Sequence, residues 1–215
     1  VLIALTVACV LAAGTMSCLP WQTDQEGELV YVGPTEQGIS PGDFMPGTDL
    51  QYVGLHEDGA AVMISGERAI KKKGDSLNWD GHPMEGTVLN LKTRIVWFTE
   101  EKLHSAGTAR LAVEDVAPSA AQFPDDAPVV YKLPTTYTVK RGEAIPGTTI
   151  TYEGANDSGA HLGGVEGYAY REVADSIQYE GKLREGVFLD TTLRVVFFND
   201  DTLQVAGLAT LGLWP

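Results

Sequence analysis

RIVWFTEEKLHSAGTARLAV occupies positions 94–113, and RVVFFNDDTLQVAGLATLGL occupies positions 194–213. In the first stretch Leu103, Ser105, Gly107, Ala109, Leu111 and Val113 fall on one side of an extended chain. His104, Thr108 and Arg110 fall on the other, which is the two-residue period of a half-buried strand. Leu203, Val205, Gly207, Ala209, Leu211 and Leu213 repeat that pattern. Residues 94–98 and 195–198 are apolar on both faces, which predicts a strand covered on both sides. Short acidic connectors, 99–102 and 199–202, join these strand signals, so each stretch predicts a β-hairpin.

The correspondence spreads outward without a gap. Pro46-Gly47-Thr48 recurs as Pro146-Gly147-Thr148, and Tyr52 and Gly54 as Tyr152 and Gly154. Gly59-Ala60, Asp75-Ser76, Glu85-Gly86, Arg94 and Ala106-Gly107 all return one hundred residues later. About a third of positions 30–111 are identical to their partners, the signature of an internal repeat. Further strands are expected at 29–32, 49–53, 60–65, 68–72 and 87–91. Leu77 and Trp79 share a face, mirrored by Ile177 and Tyr179. Trp79, Trp97 and their aromatic counterparts are expected to anchor the cores. No amphipathic helix is predicted after residue 18. The expected fold class is all-β: two tandem copies of a small β-sandwich or barrel-like domain, preceded by a hydrophobic signal or anchor segment. The domains would be 29–114 and 129–215. Residues 19–28 read as a polar tether, and 115–128 (DVAPSAAQFPDDAP) as a semi-extended linker.

Residues 1–16 carry no charge and have the length of a signal-peptide apolar core. With neither an initiator Met nor a basic leader, the N-terminus is expected to be truncated. Thr15-Met16-Ser17-Cys18 resembles a bacterial lipoprotein processing box, which implies lipidation of Cys18. Such boxes usually hold Leu and a small residue where Thr15 and Met16 stand. A cleaved secretory signal and an uncleaved anchor remain open alternatives. All three readings place residues 19–215 outside the cytoplasm, with any contact to a membrane made only through an N-terminal lipid or helix anchor.

The chain's net charge is −14. Residues 19–114 hold 8 Lys+Arg against 15 Asp+Glu, and residues 115–215 hold 7 against 14, so each part carries −7. An evenly acidic surface repels phosphate backbones, which argues against nucleic acid as a partner. Both cysteines, Cys9 and Cys18, lie in the leader. Residues 19–215 therefore have no disulfide, thiolate nucleophile or Cys-ligated metal.

No Gly-x-Ser-x-Gly elbow, phosphate loop or His-Glu-x-x-His helix is present. No catalytic residue, metal ligand or cofactor is assigned. None of His56, His82, His104 and His161 has a histidine partner in the other copy, and His104 is expected on the solvated face. Arg94 and Arg194 could anchor an anion or, as the favoured reading, pair with Asp75 or Glu85 and their counterparts. Glu100-Glu101 and Asp200-Asp201 lack calcium-loop spacing and read as solvated hairpin tips. The copies diverge most over 61–74 and 161–174. The first of these segments holds Arg68, Lys71, Lys72 and Lys73, and the second holds Tyr168 and Tyr170; these are the candidate partner-binding residues. Drift in an edge strand, where Lys discourages aggregation, is the competing explanation. The expected function is non-enzymatic: an envelope protein that binds protein or glycan or acts as a spacer. An exported carboxylate-dependent glycan hydrolase is the alternative.

Overall fold

The computed structural model describes residues 27–215 and is all-β, with no helix among them. The leader, and with it Cys18, lies outside the described residues. The first half contains β1 (Leu29–Ile39), β2 (Gln51–His56), β3 (Gly59–Ile64), β4 (Glu67–Lys71), β5 (Ser76–Gly81), β6 (Thr87–Phe98) and β7 (Leu103–Val113). A two-residue strand follows, β8 (Ser119–Ala120). The second half contains β9 (Val129–Lys140), β10 (Thr151–Asn156), β11 (Gly159–Gly163), β12 (Tyr170–Arg171), β13 (Ser176–Arg184), β14 (Val187–Phe198) and β15 (Thr202–Leu213).

Each half forms a larger and a smaller antiparallel sheet. The order is β1-β7-β6-β5 with β2-β3-β4 in the first half, and β8-β13-β14-β15-β9 with β10-β11-β12 in the second. The pairings agree in register: Arg94 faces Ala106 as Arg194 faces Ala206. Bulges recur too, between Tyr52 and Gly54, Tyr152 and Gly154, Ile95 and Trp97, and Val195 and Phe197.

The hairpins at 94–113 and 194–213 form as the alternation predicts, but each first strand is longer. Residues 87–91 and 94–98 belong to the single strand β6. The apolar run at its end is not covered on both sides. Ile95 is buried, whereas Val96 and Trp97 are each 42 % exposed. The bulge inserts one extra residue there, so both side chains leave the core face. Val196 and Phe197 do the same in β14. Trp97 and Phe197 therefore do not anchor the core; Tyr179 is buried in it, and Trp79 is half-buried.

The core is continuous across both halves. The edge strands β1 and β9 lie against one another, and a Cβ on Gly33 would stand 2.4 Å from Pro134 Cδ. Each half also inserts its Pro-Gly-Thr turn beneath the first strand of the other. Gly47 has φ +74° with Val129 3.2 Å from its Cβ position; Gly147 has φ +79° with Leu29 2.9 Å away. Only glycine combines that backbone with so little space. Tyr131 closes one side by donating to the Pro46 carbonyl at 2.7 Å. Across from it, the Tyr31 hydroxyl lies 3.0 Å from the Gly147 Cβ position.

Residues 115–121 are laid along the edge of β13. The Ala117 amide donates to Leu183 O at 2.8 Å and the Ala121 amide to Glu180 O at 3.4 Å. Ala120 sits opposite Gly181 and Ser119 opposite Lys182. Gly181 leaves room for this neighbour: its Cβ would stand 2.7 Å from Ser119 O.

Candidate functional site

Two surface regions gather chemistry-bearing side chains, one in each half. The first is an open groove of about 510 Å³ beside β5. Phe44, 56 % exposed, and Trp79 stand on its walls with His82, Pro83, Pro128 and Val129. Trp79 folds back over Gly81, where a Cβ would meet the ring at 2.6 Å. Its indole N–H donates to Asp49 Oδ1 at 2.7 Å, fixing the ring plane in the groove wall. Local sequence explains the wall: the Pro-Gly-Thr turn turns the chain back between Phe44 and Asp49, and Thr48 Oγ1 accepts the Leu50 amide at 3.0 Å. The groove thus mixes aromatic and proline surface with polar groups in similar measure, and Asp49 is its one acidic side chain.

The second region is the outer face of β10–β12. His161 Nδ1 lies 3.1 Å from Glu153 Oε2. Its ring stacks on Tyr170 with centroids 4.7 Å apart, and Tyr170 meets Tyr168 at 5.6 Å. Arg171 is committed beneath them, donating to the carbonyls of Tyr168, Tyr170 and Ser176. Tyr168 and Tyr170 therefore come together.

The basic residues of the first half do not converge. Arg68 and Lys71 lie three positions apart on β4, where odd spacing puts them on opposite faces. Lys72 and Lys73 follow in the turn, the Lys72 amide bonding Asp75 Oδ2 at 2.7 Å. The Asp-Ser repeat is a turn device in both halves, since the Glu172 amide bonds Asp175 Oδ2 at 2.8 Å. Arg94 does not pair with Asp75 or Glu85. It donates to Gly74 O at 2.8 Å, and Arg194 donates to Ala174 O at 2.9 Å. Both guanidiniums brace the same turn through a backbone carbonyl, which a sequence cannot display.

The acidic hairpin tips are ordered by their first residue. Thr99 Oγ1 accepts the Glu101 and Lys102 amides, and Asn199 Oδ1 those of Asp201 and Thr202. Tyr52 and Tyr152 reach across to donate to the carbonyls of Thr99 and Asn199. Burial, then the neighbouring acidic tip, raises the pKa of both phenols. His104 stacks on Trp97 at 3.8 Å rather than standing free in solvent.

Two carboxylates lie side by side at Glu180 and Asp190, register partners on β13 and β14. Desolvation first, and the Glu180 charge second, raise the Asp190 pKa. They sit on the open sheet face, where Glu180 Oε2 also accepts the Phe123 amide at 3.0 Å. A smaller groove of about 390 Å³ is lined by Met84, Glu185, Phe188 and Trp214 among others, again with a single carboxylate. The Glu185 pKa is lowered by its hydrogen bond to Lys182 at 2.9 Å.

Composition and spacing single out neither the β5 groove nor the Glu153–His161 pair. Trp79 reads as a core aromatic because its face alternates correctly, and Phe44 belongs to no strand. No protein-family model matches this chain, and no curated protein or solved structure matches it either.

Proposed function

We propose that the chain is an exported, non-enzymatic binding module, two tandem copies of one small β-domain displayed outside the cytoplasm through an N-terminal signal or a lipid on Cys18. Its partner is a protein or a glycan of the cell envelope. The observation that carries this reading is the β5 groove, whose size is that of a ligand site. Phe44 and Trp79 supply rigid apolar area at its rim, the side-chain type that dominates recognition surfaces. The net charge of −14 favours neutral or basic partners over nucleic acid and anionic lipid.

The alternative, a glycan hydrolase, calls for two carboxyl groups facing each other across a cleft about 5–10 Å apart. Each of the two grooves offers one, and the neighbouring Glu180 and Asp190 lie outside both. Titrating the protein with envelope glycan fragments and with short peptides, while assaying for released reducing ends, separates the readings. Saturable binding that Phe44→Ala with Trp79→Ala abolishes, without product release, is the expected result. Hydrolysis, or binding indifferent to both substitutions, overturns it.

A further inference from the structure

The two larger sheets differ at one edge. In the second half β13 is covered by residues 115–121, whereas in the first half β5 ends its sheet with no strand beyond it among the described residues. We propose that the β5 edge and the adjoining groove accept an extended peptide segment by antiparallel strand addition, in the manner of the chain's own Asp115–Phe123 on β13. This deepens the binding-module reading and rests on it.

Two features of β13 that serve its occupant are matched in β5. Gly181, which gives Ser119 O its approach, is matched by Gly81. Leu183, whose carbonyl accepts the Ala117 amide, lies within β13, whereas its counterpart Pro83 stands in a bend two residues past the end of β5, so an incoming strand would pair over a shorter edge. Tyr179, folded over Gly181, is matched by Trp79 folded over Gly81. The groove is an additional feature, found beside β5. In the second half Val116 packs against the core as the segment arrives, its amide bonding Gly27 O at 3.2 Å. The corresponding approach in the first half runs past Pro128 and Val129, both lining the open groove. A strand laid on β5 would set its leading apolar side chain there.

The covering segment also defines the partner. Ala117, Ser119, Ala120 and Ala121 are small and uncharged, as suits a strand passing close to a glycine edge. An apolar residue one place before the first pairing residue fills the place of Val116. Backbone hydrogen bonds supply affinity in this mode, and the groove supplies selectivity. Self-pairing of two β5 edges is disfavoured by Asp80, which would be carried in by both copies of an already acidic protein.

The test uses the full chain and a synthetic peptide of the sequence DVAPSAAQF. Its own segment stays on β13 because tethering gives that segment a millimolar-range effective concentration. Added peptide should bind saturably, and a photoreactive group at its Val position should crosslink to residues 79–83 or 128–129. The same peptide N-methylated at the amides equivalent to Ala117 and Ala121 keeps its side chains but loses both donors, and should bind at least tenfold more weakly. No binding at millimolar peptide, crosslinks elsewhere, equal binding of the methylated peptide, or dimerisation of the protein through β5 each overturn the proposal. Glycan binding at the groove without peptide binding would leave the binding module standing and remove the strand addition alone.

Discussion

The strands β5 and β13 occupy equivalent places, yet among the described residues one ends its sheet and the other is an interior strand. Nine residues between the halves make that difference, from Asp115 to Phe123, by lying down on β13. A similar contrast holds on the smaller sheets. Ile70 and Val53 are exposed in the first half, where Tyr170 and Glu153 build a stacked, ion-paired face in the second. The buried frame is shared and the outer surfaces are not. Recognition is therefore to be sought where the halves differ, and stability where they agree.

The strongest way to stress the shared frame is alkaline pH. Tyr31, Tyr131 and Tyr137 crowd the junction of the halves, and burial is the main cause raising each phenol's pKa. A folded pKa above the unfolded value near 10 means the stabilisation is complete below about pH 10 and lost as pH rises. Three such groups should lower unfolding free energy as pH rises above 10, by at most about 4 kcal/mol per pH unit. Denaturant titrations at stepped pH check this, and Tyr31→Phe should flatten the slope by about a third. A slope unchanged by that substitution breaks the picture of a dry junction.

The reciprocal turns come next. Gly147→Ala meets Leu29, Leu189 and Tyr31 at 2.9–3.0 Å and forces alanine to a positive φ. It should cost about 3 kcal/mol, summing left-handed strain and overpacking. Gly47→Ala, whose nearest neighbours begin at 3.2 Å, should cost about half as much. Equal losses in urea unfolding would erase this asymmetry between the halves.

Ala121→Pro removes a donor from the segment covering β13 and should destabilise by about 1 kcal/mol. Finally, Arg94→Met and Arg194→Met each remove one exposed bond to a turn carbonyl. Each should cost about 0.5–1 kcal/mol and by similar amounts, read as paired shifts in melting temperature. A difference beyond 1 kcal/mol would mean the two guanidiniums serve different ends.

Much of the strand placement was open to reading because alternation survives in Leu103–Val113 and its counterpart, where one face is buried and the other wet, whereas the order of strands in the sheets was not. Bulges defeated the same rule at Trp97 and Phe197, since one inserted residue turns an apolar run outward without altering composition. Pro-Gly-Thr stood out as a repeated motif, but its purpose lies in packing against residues of the other half, roughly eighty to one hundred and twenty positions away. Residues 115–128 have no periodicity, so a two-residue strand within them leaves no trace. Of the candidate binding residues, Tyr168 and Tyr170 meet because they are two apart, while Arg68 and Lys71 separate because they are three apart. The groove at Trp79 was hidden because it is assembled from segments far apart in the chain.

Amide hydrogen exchange of the full chain puts the open-edge account to its plainest test, comparing residues 78–82 with 178–182. The outward-facing amides of the first segment should exchange roughly tenfold faster or more than their counterparts in the second, because among the described residues only β13 has a strand beyond it. Equal protection of the two segments would mean that β5 is already covered, and would contradict the account.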